Sequence, residues 1–281
     1  MSSPARLALC TAVSAALTLT ACAPLQDFLD GAAPTPLSEV SVPLVDRVDR
    51  DDPFGGTEAE DYAEGFDVPE ASTVGPYPSG RVQEAYETTR DFMEAVYLDR
   101  DAVFGEDNSA FTALLTDQSL AWYMEHHGHE DPELDTRSIP FNLAPGTAEP
   151  IGDVVKVDGR MRAEEADDEY GQDYLAVRTE YTIVHPVARP GEPVSVRLVT
   201  SHYGEVSFYD NGDGTWEVFP NWWRFVGPTH CLLDEHTFTP AYPDEEPRGE
   251  RPRGVPDDPY DLEDGPAADG AENECGAIRD T

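Results

Sequence analysis

Between Ser79 and Phe225 the spacing of apolar residues changes once, from a helical period to a period of two. In the first part Val82, Ala85, Tyr86, Thr89, Phe92, Met93, Val96 and Tyr97 recur every three or four residues. Glu84, Glu87, Arg90, Asp91 and Glu94 take the other side. That pattern predicts an amphipathic helix, with Ser79 as its N-cap. A second helical stretch begins near Ser109 and carries Phe111, Leu114 and Leu115. A third begins at Thr116, a capping residue, and carries Leu120, Tyr123 and Met124. It ends in Glu125-His126-His127-Gly128-His129.

The period-two part opens with two short predicted strands, Ile139 to Leu143 and Ile151 to Val157. Tyr174 to His185 then places Leu175, Val177, Thr179, Tyr181, Ile183 and His185 on one face. Val194 to Tyr209 does the same with Val194, Val196, Leu198, Thr200, His202, Gly204, Val206 and Phe208. Ser195, Arg197, Ser201, Glu205 and Ser207 take the opposite face, the alternation of a half-buried antiparallel sheet. Asp210-Asn211-Gly212-Asp213-Gly214 is a turn, and Thr215 to Phe225 returns as the partner strand. Helices followed by a meander of long strands predict an α+β fold, with N-terminal helices packed on a curved antiparallel sheet.

The flanks differ in composition. Residues 22–78 read as an acidic, Pro-rich tether, with Val40 to Val45 as a segment able to add a strand or dock. The α+β domain is expected over 79–237, and 238–281 as an acidic, mostly disordered tail. The chain has 57 acidic and 18 basic residues, a formal charge of −39. Nucleic-acid binding needs a basic patch and is excluded on that ground. Adsorption to anionic lipid is disfavoured for the same reason. A solvated, self-repelling surface explains the acidity better than divalent-cation binding by the tails.

At the start, Met1 to Arg6 carries one positive charge and Leu7 to Thr20 carries none of either sign. The run ends in Leu19-Thr20-Ala21-Cys22. Residues 1–21 with this box resemble the signal peptide of a bacterial lipoprotein. The resemblance implies lipid on Cys22, cleavage before it and residence at the extracytoplasmic face of a cell membrane. A single acyl chain holds only reversibly, at roughly 0.8 kcal/mol per buried CH₂, so firm anchoring takes more than one. Cys10 then leaves with the signal, and Cys231 and Cys275 remain. Outside the plasma membrane a pair is favoured over two free thiols. It would close a loop of about 45 residues and contribute roughly 3–4 kcal/mol.

The order of elements also resembles the NTF2-like (SnoaL-like) α+β cone fold. The resemblance rests on the long first helix ending in Tyr97-Leu98-Asp99-Arg100-Asp101, the shorter helices after it and the long strands to Phe225. It covers roughly half the chain and carries over no catalytic residue. That family includes enzymes acting on small apolar rings and many non-catalytic binding or protein-contact domains.

His202 is the residue of most chemical interest. It points to the apolar face, and Tyr97, Tyr181 and Trp222 are its expected pocket neighbours. Exposed there, it would be a general acid or base; bonded to Tyr or Thr, it is a core histidine, the favoured reading. The cluster from Glu125 to Asp131 has metal-friendly side chains at poor spacing and reads as a solvated helix end. The Asp210 loop lacks the ligand positions of a calcium loop and reads as a hairpin turn.

In Trp216 to Phe225, alternation sends Trp216 and Trp222 to one face. It sends Phe219, Trp223 and Phe225 to the other. That second face needs structural cover, for which Val40 to Val45 is the candidate, or else it binds a partner or glycan. No nucleophile triad, phosphate loop or paired metal motif is present, so neither cofactor nor metal is expected. The sequence favours a non-catalytic binding or protein-interaction module on a lipid anchor, taking an envelope protein or a small apolar ligand. The alternatives are a cone-fold enzyme using His202 and an acidic spacer or cation-binding protein.

Overall fold

A computed structural model describes residues 46–131, 134–232, 235–246, 248–250, 253–262 and 276–278. The signal segment, Cys22, Val40 to Val45 and Cys275 lie outside the described residues. All described residues belong to the unit from Leu44 to Thr281. The architecture is α+β. Four helices, α1 (Ser79–Tyr97), α2 (Arg100–Gly105), α3 (Ser109–Thr112) and α4 (Asp117–Glu125), precede most of the sheet.

The sheet is antiparallel and has six strands: β1 (Ala63–Glu64), β2 (Glu149–Pro150), β3 (Lys156–Asp167), β4 (Asp173–Ala188), β5 (Ser195–Asp210) and β6 (Trp216–Gly227). Their order is β1-β3-β4-β5-β6, with β2 also pairing with β4. Two further strands, β7 (Arg253–Asp257) and β8 (Gly276–Ile278), pair in parallel.

The helix α1 forms where the three-and-four spacing placed it. Val82, Ala85, Tyr86, Phe92, Met93, Val96 and Tyr97 are all buried. Pro78, fixed at φ −68°, takes the N-cap position and offers no side-chain cap bond, so Ser79 is the first helical residue and not the cap. The run after Tyr97 does not simply end that helix. Asp99 caps α2, accepting from the backbone N–H of Asp101 at 2.9 Å. Thr116 caps α4 in a capping box with Ser119. The carboxylate of Glu217, from β6, accepts the Ser119 N–H at 3.0 Å and the Thr116 hydroxyl, which ties this helix end to the sheet.

The long strands follow the alternation closely. Tyr181, His202 and Arg224 lie directly opposite one another across β4, β5 and β6. Gly204 sits opposite Trp222, and a Cβ there would come within 2.3 Å of the Trp222 Cβ. The indole therefore needs a glycine beside it.

Two expected strands differ. Ile139 to Leu143 is not a strand; Leu143 makes one bridge, to Phe238. The strand expected over Ile151 to Val157 is a connection that leads into β3, which runs on to Asp167. Charged residues dominate β3, and only Val157 and Met161 in it are buried, so its alternation is faint.

The inner face of the sheet meets α1 in one apolar core containing Leu175, Val177, Ile183, Leu198, Val206 and Phe208. The packed region extends beyond 79–237 at both ends. Upstream, Phe54 and Ala59 cover Val184 and Val199 on the outer face, and Arg197 donates to the Pro53 carbonyl at 2.7 Å. Phe66 and Tyr77 enter the main core. Downstream, Tyr242 joins the same core and donates to the Thr147 carbonyl at 2.9 Å. The Tyr203 hydroxyl donates to the Leu262 carbonyl on the outer face. Composition hid these contacts because a few apolar residues in a Pro-rich, acidic chain suffice to dock it.

Candidate functional site: a sealed histidine and a neighbouring cleft

The strands β4, β5 and β6 bring the expected pocket residues together, but around a filled core. His202 has 0% exposure. Its Nδ1 lies 2.8 Å from the Tyr97 hydroxyl and its Nε2 lies 2.9 Å from the Thr179 hydroxyl. Either hydroxyl can donate or accept, so both ring nitrogens are satisfied in either neutral tautomer. The Trp222 ring packs 5.6 Å from the imidazole, and its Nε1–H donates to the Ile139 carbonyl at 2.9 Å. Tyr181 packs edge-on against Phe66 at 4.9 Å. Arg224 donates to the same Ile139 carbonyl and places its guanidinium 5.3 Å from the Tyr97 ring centroid.

Burial, then the Arg224 charge, holds the His202 imidazole well below its usual range, so it is neutral. Burial also pushes the Tyr97 phenol up to about 12. A general base needs reach to a substrate proton. His202 has none, since both nitrogens are bonded and the ring is closed to water. This is the geometry of a core histidine bonded to Tyr and Thr.

A second buried histidine, His185, lies further along β4 and lines a cleft. This cleft of about 60 Å³ is bounded by the end of α1, by α2, by the β2–β3 connection and by β4. Leu98, Val103, Phe104, Ile151 and Val155 supply its apolar walls, and His185 lines it. Arg100 and Asp153, also lining residues, form an ion pair. His185 is 2% exposed and stacks on Phe141 at 5.2 Å. Its Nε2 lies 2.8 Å from the Tyr97 carbonyl, which can only accept, so Nε2 carries the proton. Burial lowers its pKa to about 4, which leaves Nδ1 as a bare lone pair at neutral pH. That Nδ1 is buried and has no hydrogen-bond partner. Alternation had placed His185 on the inner face, but nothing in the sequence separated it from a packed residue.

The other candidates resolve locally. The His126 Nδ1 bonds the Trp122 carbonyl at 2.8 Å, and the His129 Nδ1 accepts from the Asp131 N–H at 3.0 Å. Among the described residues no group of three or more His, Cys, Asp or Glu is arranged to hold a metal. In the hairpin loop Asp210 accepts from the Gly212 N–H and Asp213 from the Thr215 N–H, so these carboxylates close the turn. On the outer face Trp223, 46% exposed, stacks on Tyr203 at 6.2 Å, and Phe219 meets Tyr209 edge-on. The residues around Phe54 supply cover for the neighbouring part of that face.

No family model, curated protein or solved structure matches this chain. Among the described residues no helix is long and apolar enough to cross a membrane.

Proposed function

We propose that the chain is a lipid-anchored extracytoplasmic protein whose α+β domain is a non-catalytic binding or protein-interaction module. The observation that carries the non-catalytic part is the sealing of His202 by Tyr97 and Thr179. It supports a structural rather than an acid–base role for that histidine. The anchoring part rests on Leu19-Thr20-Ala21-Cys22 after an uncharged run. Its partner is an envelope protein or a small apolar ligand, and the fold is of the NTF2-like cone type. Helices against one face of a six-stranded antiparallel sheet support that fold.

A Cys231–Cys275 disulfide is part of the same reading. Cys231 is buried and partnered, and it bridges to Gly249. Four residues on from Gly249, Arg253 pairs with Gly276, the residue after Cys275.

Metabolic labelling with an alkynyl fatty acid tests the anchor. Label and membrane association are expected in the natural chain and lost in Cys22→Ser. Retention of both in Cys22→Ser overturns the lipoprotein reading. Native pull-down from the solubilised envelope then identifies the partner.

A further inference from the structure

We infer that the cleft beside His185 binds a small apolar molecule that carries one hydrogen-bond donor, such as a phenol or an alcohol. The inference rests on the binding-module reading and names the ligand chemistry for it. His185 sets the requirement. Its Nε2–H is committed to the Tyr97 carbonyl at 2.8 Å, so Nδ1 can accept and cannot donate. A buried acceptor without a partner costs about 1–3 kcal/mol. Native interiors rarely leave one without a water, an ion or a function to explain it. Relief by protonation is closed off at neutral pH, because burial disfavours the imidazolium. The partner must therefore arrive as a donor.

The walls set the rest of the ligand. Val103, Ile151 and Pro186 are buried, and Leu98, Phe104, Val154 and Val155 are half-buried. The walls are mostly apolar, with His185 and the Arg100–Asp153 ion pair as polar side chains. At about 60 Å³ the cleft is smaller than the ~150 Å³ cavity that encloses a benzene. It therefore takes the polar end and one edge of a small ring and leaves the remainder outside. Nδ1 is screened from water, so entry of a donor shifts one of the half-buried wall residues. Phe141, stacked on His185, is fully buried, so the half-buried wall residues are the ones that must yield.

The test uses the full chain with ¹⁵N-labelled histidine and two probes of matched size, phenol and toluene. Phenol is expected to shift the His185 Nδ1 resonance saturably, and to bind roughly 10-fold more tightly than toluene, a typical worth for one hydrogen bond. In His185→Phe, which keeps a ring against Phe141, that preference is expected to vanish. In Val155→Trp, which fills the cleft, binding of both probes is expected to be lost. Melting curves establish that each variant is folded; if the tryptophan variant is not, His185→Phe still decides. No saturable shift with phenol, equal affinity for toluene, or a preference that survives in His185→Phe would overturn the inference. Lipid labelling at Cys22 and envelope capture are read independently, so failure here leaves the anchor and partner readings standing.

Discussion

The Tyr97 hydroxyl lies 2.8 Å from His202 Nδ1, and both side chains are fully closed to water. This bond joins the last residue of α1 to the middle of β5 and turns a candidate acid–base group into a structural one. Tyr97→Phe would leave a buried imidazole nitrogen without a partner. A loss of about 1–3 kcal/mol is expected, read as a lower urea midpoint with an unchanged slope. An unchanged midpoint would show that the bond contributes nothing.

Acid sensitivity follows from His185. Its folded pKa is about 4, against an unfolded value near 6.5. Between these values the unfolded chain binds the proton and the folded one does not. The stability that His185 contributes is therefore full above about 6.5, falls as the pH drops towards 4, and changes no further below. The total is about 3 kcal/mol, and His202 acts in the same direction. His185→Phe is expected to flatten the stability profile between pH 6.5 and 4 relative to the natural chain. Parallel profiles would refute this, and the comparison cancels the carboxylates common to both.

Arg224 is half-buried, with its guanidinium beside the Tyr97 and Phe141 rings, and its buried Nη1 has no hydrogen-bond partner. Removing a charge from such a site relieves desolvation. The Ile139 carbonyl keeps its bond from Trp222. Arg224→Met is thus expected to be neutral or to stabilise by ~1–2 kcal/mol, measured by thermal melting. It should also raise the His202 pKa, since the Arg224 charge helps to lower it. A strongly destabilised variant would show that the guanidinium has a partner of its own.

The segment around Phe54 is expected to be integral to the domain. Phe54→Ala uncovers Val184 and Val199 and should cost about 3 kcal/mol. A chain beginning at residue 79 should lose cooperative melting, while one beginning at residue 44 should keep it. Equal melting of the two chains would return residues 46–78 to the role of a tether.

Gly204→Ala places a methyl within 2.3 Å of the Trp222 Cβ. Overpacking of this kind typically costs 1–3 kcal/mol. A shift in tryptophan emission should accompany it, because the Trp222 indole packs against His202 and Phe111.

Elements with a strong apolar period were legible in residue order alone. It placed α1, the Thr116 cap and the three long strands, since a half-buried face writes its period directly into residue order. It also brought Tyr97, Tyr181, His202 and Trp222 to one face. What it could not decide was how full that face is. Closure depends on Phe141 and Phe66 arriving from other segments, and packing between segments leaves no local period. The same holds for β3, whose charged residues blur its alternation, and for Phe54 and Tyr242, single apolar anchors in Pro-rich acidic chain. Only the tertiary structure sealed His202, and only it left the buried Nδ1 of His185 unpaired in a residue that lines a cleft.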